Sequence, residues 1–300
     1  MPVSREEAGK KFFLSRYLSL GHRLTGDEST RQAIRVNTLK TTDDEITETL
    51  TSLGVNLSKV PYLDHGYTVE ASGFSLGASI EYLLGLFSLQ ESASQYAAQT
   101  LAPSAGDTVL DMCAAPGGKT TQIAAYMGNR GLLYAVDHDR DRLYALENNL
   151  ERCGVENCLV YHGDATRLEH GTMFSKVLLD APCSGNYVTD QSWFRRRSIE
   201  DVNRNAETQR ELLSAAVKIL EPGGVLLYAT CSLEPEENEF NIEWLLSNHA
   251  VALESIEGPG ENGLTQVFDR RLDAEVSKCH RFWPDTTHTQ GFFLAKVVRL

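Results

Sequence analysis

The sequence predicts an α/β protein: a mostly parallel sheet covered by helices on both faces, preceded by a small α+β unit. Two patterns carry that expectation. From about Thr108, short apolar runs alternate with amphipathic stretches of helical period, the signature of a parallel sheet with crossover helices. Before about residue 90 that regular alternation is absent, and shorter elements of mixed type take its place. The expected units are therefore residues 1–90 and residues 91–300.

In the small unit, Lys11–Leu20 has helical character and Ala33–Leu39 reads as a strand. Asp43–Leu53 sets Ile46, Leu50 and Leu53 at helical spacing, with Gly54 as its stop. Tyr67–Glu70 is a further strand. In the larger unit Thr108–Leu110 is the first strand, and a helix begins near Lys119. Leu132–Val136 is the second strand, followed by a helix over Arg140–Arg152 that Gly154 ends. Leu159–Tyr161 and Val177–Leu179 are the third and fourth strands. A long helix is expected over Val202–Leu220, ended by Pro222-Gly223-Gly224. Val225–Ala229 is the fifth strand, a helix lies near Glu237–Leu246, and Gly291–Val298 is a last strand.

Composition bounds the function. The chain has 300 residues, 42% of them hydrophobic, enough for a substantial core. Its apolar runs suit buried strands and are too short to span a bilayer. No secretion signal is visible at the N-terminus, so a cytoplasmic protein without membrane contact is expected. A monomer is expected by default. None of the six cysteines forms a Cys-x-x-Cys pair, which argues against a structural metal. The net charge of -13 and the pI of about 5.1 argue against a nucleic-acid partner, unless local patches outweigh the sum. Three basic clusters exist, Lys10-Lys11, Arg195-Arg196-Arg197 and Arg270-Arg271, each equally readable as a solvated face.

Ligands of parallel sheets bind beyond the carboxyl ends of the strands. The first strand ends in Asp111-Met112-Cys113-Ala114-Ala115-Pro116-Gly117-Gly118-Lys119-Thr120. A P-loop would need glycine where Cys113 stands, and a Gly-x-Gly-x-x-Gly fingerprint is absent. The remaining ligand reading is a turn whose backbone N–H groups meet the carboxylate of S-adenosylmethionine (SAM). A plain tight turn competes with it. The second strand ends in Asp137, suited to both hydroxyls of a ribose or to capping the next helix. Asp164 follows the third strand and can face an adenine amino group. Arg142, on the helix after Asp137, either orients these carboxylates or is a surface charge. The fourth strand runs into Asp180-Ala181-Pro182-Cys183 and the fifth into Thr230-Cys231-Ser232. Two thiols beyond adjacent strands can share one cleft. The competing reading is two buried thiols. A thiolate is the side chain best able to add to carbon 6 of a cytosine at neutral pH, which makes carbon 5 nucleophilic. Either cysteine can fill that role on this reading.

The segments Arg35-Val36-Asn37-Thr38, Cys113–Thr120, Asp180–Gly185, Thr230–Asn238 and Gly291-Phe292-Phe293-Leu294-Ala295 together resemble the NSUN/RsmB family of RNA 5-methylcytosine methyltransferases. The resemblance implies a Rossmann-like class I SAM methyltransferase fold with a mostly parallel, seven-stranded sheet. It implies Cys231 as nucleophile and Cys183 as the cysteine that helps release product. It assigns Cys113, Ala114, Ala115, Pro116, Gly117, Gly118, Lys119, Asp137, Arg142, Asp164 and Asp180 to the SAM site. It further implies that Lys119 and Asp180 contact the target base. The likeness is greatest to compact archaeal members that act on tRNA, without an appended RNA-binding domain of the PUA type. tRNA is therefore the expected substrate, with rRNA as the alternative and a non-catalytic RNA-binding scaffold as a third reading. The target base must leave its stack to reach a thiolate.

Overall fold

A computed structural model of the chain describes residues 4–168 and 173–300. Helix α1 (Arg5–Ser19) starts with a capping box, in which Ser4 Oγ accepts from the Glu7 N–H and the Glu7 carboxylate accepts from the Ser4 N–H. Next come β1 (Ala33–Val36), α2 (Asp43–Ser52), β2 (Asn56–Lys59), β3 (Gly66–Ala71), α3 (Ile80–Leu83) and β4 (Phe87–Leu89). The four strands form an antiparallel sheet in the order β2-β3-β1-β4. Helix α2 lays Ile46 and Leu50, four residues apart, into a small core with Ile34, Val36 and Phe87. Gly54 follows it with a φ of +82°, the left-handed stop expected there.

Although first in sequence, α1 does not pack on this small core. Its Phe13 meets Trp193 edge-on at 4.5 Å, and Tyr17 donates to a Glu234 Oε1 2.7 Å away. Phe13 and Tyr17, four residues apart, belong to the largest hydrophobic cluster of the protein.

The larger sheet follows from α4 (Ser92–Leu101), β5 (Thr108–Asp111), α5 (Gly118–Met127), β6 (Leu132–Asp137), α6 (Arg140–Cys153), β7 (Cys158–His162), β8 (Phe174–Asp180), α7 (Trp193–Arg196), α8 (Ile199–Ile219) and β9 (Leu220–Thr230). Strands β9-β8-β5-β6-β7 are mutually parallel. The chain winds outward from β5 through β6 to β7, then returns to β8 on the other side of β5. That reversal puts a crevice beyond the ends of β5 and β8. The rest of the chain is α9 (Glu239–Asn248), β10 (Val251–Glu254), β11 (Glu261–Asn262), β12 (Gln266–Val267), β13 (Arg270–Arg271), β14 (His280–Phe282), α10 (Pro284–Thr287) and β15 (Phe292–Arg299). Strand β15 runs antiparallel to β9 and extends the sheet through β14 to β11, while β10 pairs with β15 as well.

The α/β class and the parallel centre match the sequence expectation, but the sheet has nine strands among the described residues, not seven. The strands missed are β10, β11 and β14, of two to four residues each, too short to express a period. The turn Pro222-Gly223-Gly224 also does not end a helix. Helix α8 stops at Ile219, and Leu220 already pairs with Phe174. Pairing resumes with Val225 opposite Lys176, so residues 221–224 bulge from the strand, with Gly223 at a φ of +76°.

One buried ion pair fixes the C-terminal half to the site end of the sheet. Arg281 on β14 and Glu239 at the start of α9 are both almost wholly buried, and the guanidinium also donates to the Leu233 carbonyl at 3.0 Å. Removing one partner of such a pair strands the other charge out of water. Glu239→Gln should lower the unfolding free energy by about 3–5 kcal/mol, measured by urea denaturation. A loss below about 1 kcal/mol would mean that the pair carries no more than a surface one.

Candidate active site

Four parallel strands deliver functional groups to one end of the sheet: β5 brings Asp111, β6 Asp137, β8 Asp180, and β9 leads into Cys231. Because β15 is antiparallel to β9, its first residue, Phe292, arrives at the same end. Two cavities open there, of about 510 and 250 Å³, and both are lined by Cys113, Ala115 and Asp180.

The turn between β5 and α5 is built to approach a ligand with its backbone. Gly117 has a φ of +100°, and a Cβ there would lie 2.8 Å from Leu146 Cδ1, so only glycine fits. Its N–H donates to the Ala114 carbonyl at 2.7 Å, and the Ala114 N–H donates to Val136 at 2.9 Å. The Ala115 N–H donates to Asp137 Oδ2 at 3.1 Å. Arg142 Nη1 lies 3.4 Å from the same oxygen while Nη2 donates to the Ala115 carbonyl. Arg142 thus orients Asp137 and the turn together. Helix α6 is capped by Asp139 and not by Asp137, which leaves Asp137 to line the larger cavity. Asp164 also lines it, but one of its oxygens accepts from the Thr166 N–H and Oγ1, and these hydrogen bonds hold its carboxyl below the usual range. Cys113 sits at the junction of both cavities, its thiol pushed up by burial and then by Asp111.

Lys119, in the first turn of α5, points its Nζ at Asp180 Oδ2 2.6 Å away and lies 5.5 Å from the centre of the Phe292 ring. Burial opposes its charge, but the Asp180 carboxylate outweighs burial and raises its pKa above the ordinary value. Asp111 is the site residue that the sequence analysis passed over. It is buried, its Oδ2 accepts from Thr120 Oγ1 at 2.8 Å, and its Oδ1 has no hydrogen-bond partner. Burial pushes its carboxyl up to about 7, helped by Asp180 and Asp137. Its place as the last residue of the first strand was the available signal.

The two thiols converge. Cys183 Sγ and Cys231 Sγ lie 3.1 Å apart on the wall of the larger cavity. Asn186 Nδ2 donates to the Cys231 carbonyl at 2.7 Å and to the Gly291 carbonyl at 3.1 Å, tying both cysteine loops to the start of β15. The Cys183 thiol is held well above the ordinary range, first by its hydrogen bond with Cys231 and then by burial. At this distance one thiol donates to the other. All residues assigned to catalysis or to SAM in the sequence analysis therefore stand at this one end of the sheet. Among the described residues no cluster of His, Cys, Asp or Glu is arranged to hold a metal, and no helix is long and apolar enough to cross a membrane.

Comparison with known proteins gives the following likenesses. The model of the family described as 16S rRNA methyltransferase RsmB/F matches residues 98–298, and that of the N-terminal domain of 16S rRNA methyltransferase RsmF matches residues 21–92. A 28S rRNA (cytosine-C(5))-methyltransferase of Mus musculus is 38% identical over 272 residues, 88% of this chain and 34% of that protein. Ribosomal RNA small subunit methyltransferase F of Klebsiella pneumoniae is 37% identical over 279 residues, 89% of this chain and 57% of that protein. The chain thus spans between a third and three-fifths of the length of these relatives. A crystal structure of a methyltransferase homolog protein from Pyrococcus horikoshii superposes with a TM-score of 0.89 at 38% identity, covering 97% of this chain and 95% of that one.

The raised Asp111 carboxyl has a thermodynamic consequence. In the unfolded chain it ionises near its ordinary value of 3.8, in the fold near 7. Its contribution is present at low pH and is lost as pH rises through that window, by about 1.4 kcal/mol per pH unit. Asp111→Asn removes the slope. Urea unfolding at pH 5 and pH 7 should show the wild-type chain losing about 2–3 kcal/mol relative to the variant. Parallel pH dependence of the two chains would refute the assignment. The buried Glu234, also pushed up to about 7 by burial, is common to both and cancels.

Proposed function

The chain belongs to the RsmB/F methyltransferase family, and from that premise we propose that it transfers a methyl group from SAM to carbon 5 of a cytosine in ribosomal RNA. The observation that carries this reading is the pair of thiols 3.1 Å apart at the ends of adjacent parallel strands, beside a cavity lined by strand-end carboxylates.

The residues present fit the cofactor. Its amino-acid end is a zwitterion, and the site offers a match for each charge. The unpartnered Oδ1 of Asp111 suits the ammonium, and the N–H groups at the start of α5 suit the carboxylate. Asp137, held by Arg142 and Ala115, would take the ribose hydroxyls, and Asp164 the adenine amino group. When bound, SAM supplies an electrophilic methyl group.

The chain's own residues would do the rest. The Cys231 thiolate adds to carbon 6 of the cytosine. Electron density flows onto the ring, where Lys119, held charged by Asp180, donates a hydrogen bond. Asp180 would receive one from the exocyclic amine. Carbon 5 would then take the methyl group as its bond to the cofactor sulfur breaks and S-adenosylhomocysteine leaves. The carbon-5 proton would pass to solvent water in the open cavity, and the electrons of that C–H bond would re-form the ring double bond and expel Cys231 as a thiolate. The Cys183 thiol, 3.1 Å away, donates to Cys231 and stabilises it as a thiolate both before attack and on departure.

The tRNA expected from the sequence has no counterpart in the names of the two curated relatives, which both specify ribosomal RNA. That supports rRNA as substrate. Packing of α1 on α7 also brings Lys10-Lys11 and Arg195–Arg197 onto neighbouring helices. Lys10 and Arg196 face Asp27 and Asp190, while among the described residues no acidic partner stands at Lys11 or Arg195. These free charges suit phosphates, and binding through them weakens with salt.

Methyl incorporation from labelled SAM should be found with rRNA and not with tRNA or DNA, and bisulfite sequencing of RNA from a deletion strain should name the cytosine. Cys231→Ala should lower transfer at least about a thousandfold. Cys183→Ala should accumulate a covalent protein–RNA adduct on a denaturing gel. An adduct trapped only by Cys231→Ala would reverse the two roles, and incorporation into tRNA alone would reject the rRNA reading.

A further inference from the structure

Two thiols in contact at the ends of neighbouring parallel strands occupy similar places in the fold. Catalysis needs them to be unequal: one must be a thiolate while the other keeps its proton. The asymmetry has to come from the charges around them.

The turn from β9 into α9, Glu234-Pro235-Glu236-Glu237-Asn238-Glu239, carries four glutamates. Three have an arginine. Glu234 and Glu236 both pair with Arg16, at 3.0 and 2.7 Å, and Glu239 pairs with Arg281. Glu237 is as buried as Glu234 and Glu239, yet the groups that hydrogen-bond to it carry no charge. Its carboxylate takes the Ser184 N–H at 2.9 Å and the Ser184 hydroxyl at 2.8 Å, and the Ser232 and Asn205 side chains hydrogen-bond to it as well. The Ser184 and Ser232 hydroxyls are themselves 3.1 Å apart. Ser184 follows Cys183 and Ser232 follows Cys231. The carboxylate is therefore docked on the residue after each thiol, and its backbone donor, the Ser184 N–H, stands on the Cys183 side.

We propose that Glu237 decides which thiol acts: its unneutralised carboxylate, seated on Ser184, disfavours a thiolate at Cys183 and so leaves the thiolate to Cys231. Glu237 is a positioning residue in this scheme and touches neither RNA nor SAM. Other charges reinforce the bias. Lys119 interacts with Cys231, which its ammonium favours as a thiolate, and Asp180 holds that ammonium in place. Tyr228, beneath the loops, donates to the Glu237 carbonyl at 2.6 Å and stays neutral. Glu237 also contributes to holding the Cys183 proton, after Cys231 and burial. The naming of Cys231 as the acting thiol rests on the function proposed above. The electrostatic ordering of the two thiols does not.

The test is iodoacetamide labelling of the full chain across pH 6–10, without RNA or SAM, each cysteine followed by peptide mass spectrometry. In the wild-type chain Cys231 should label at the lower pH. In Glu237→Gln, which keeps the shape and removes the charge, the Cys183 midpoint should fall by about one pH unit, equivalent to roughly tenfold faster labelling below the midpoint. Glu237→Asp should preserve the wild-type order. In methylation assays Glu237→Gln should lower kcat with KM for RNA unchanged. A folded Glu237→Gln chain with both midpoints unmoved overturns the proposal. So does a wild-type chain in which Cys183 titrates below Cys231, a result that needs no variant to fold. A chain that labels as expected but methylates no RNA refutes the proposed function alone.

Discussion

The site depends on a reciprocal clasp between two loops. Parallel strands place their ends about 4.8 Å apart, but nothing in the sheet obliges the loops beyond β8 and β9 to stay together. Glu237, from the β9 side, binds the backbone and hydroxyl of Ser184. Asn186, from the β8 side, binds the carbonyl of Cys231. Each loop donates a side chain to the backbone next to the other's cysteine. All four groups are buried or nearly so, and a hydrogen bond to a buried charge contributes roughly 1.5–3 kcal/mol. Breaking one half leaves an unsatisfied partner inside, so the clasp holds as a unit. The 3.1 Å between the sulfurs is a result of this clasp.

The clasp is anchored in turn from two distant parts of the chain. Helix α1 reaches Glu234 through Arg16 and Tyr17, and β14 reaches Glu239 through Arg281. Thr230 Oγ1 donates to Asn238, whose amide returns to the Ser232 carbonyl. The turn after Cys231 is thus immobilised at every second or third residue. The cofactor turn has a comparable support from the small sheet. Arg35 on β1 is buried, donates to the Gly118 carbonyl at 2.6 Å and to Thr121 Oγ1 at 2.8 Å, and among the described residues has no carboxylate partner. Burial lowers its pKa to about 10, which still leaves it charged at neutral pH. These hydrogen bonds tie the small sheet to the start of α5.

What the sequence could reveal follows from the range of each signal. The parallel strands were legible because their apolar runs and the glycines that end the intervening helices are local. The strand-end rule then found Asp137, Asp180, Cys183 and Cys231 with no knowledge of contacts. The pairing of Arg16 with Glu234, 218 positions apart, has no local trace. Neither has the orphaned oxygen of Asp111, which follows from how the turn after it folds back. Choosing between Cys183 and Cys231 was beyond the residues themselves for the same reason. The choice turns on Glu237 and Lys119, whose charges meet the thiols only in three dimensions. Pro222-Gly223-Gly224 misled because the same residues that stop a helix also permit a bulge.

The charge of -13 looks different once the carboxylates are placed. It is a count over the whole chain. Asp111, Asp137, Glu234, Glu237 and Glu239 are inside the protein, each fixed by hydrogen bonds or an arginine. A buried carboxylate contributes little to the field an RNA backbone meets, because it is paired or polarises the groups around it. It contributes a great deal to neighbours a few ångströms away, where water no longer screens it. Five of the 41 acidic residues thus act inward, beside a cofactor-sized cavity and a pair of thiols. Lys11 and Arg195, which form no ion pair among the described residues, face outward. The net charge of such a protein says little about its partner, because the charges that build the site and those that face solvent lie in different places.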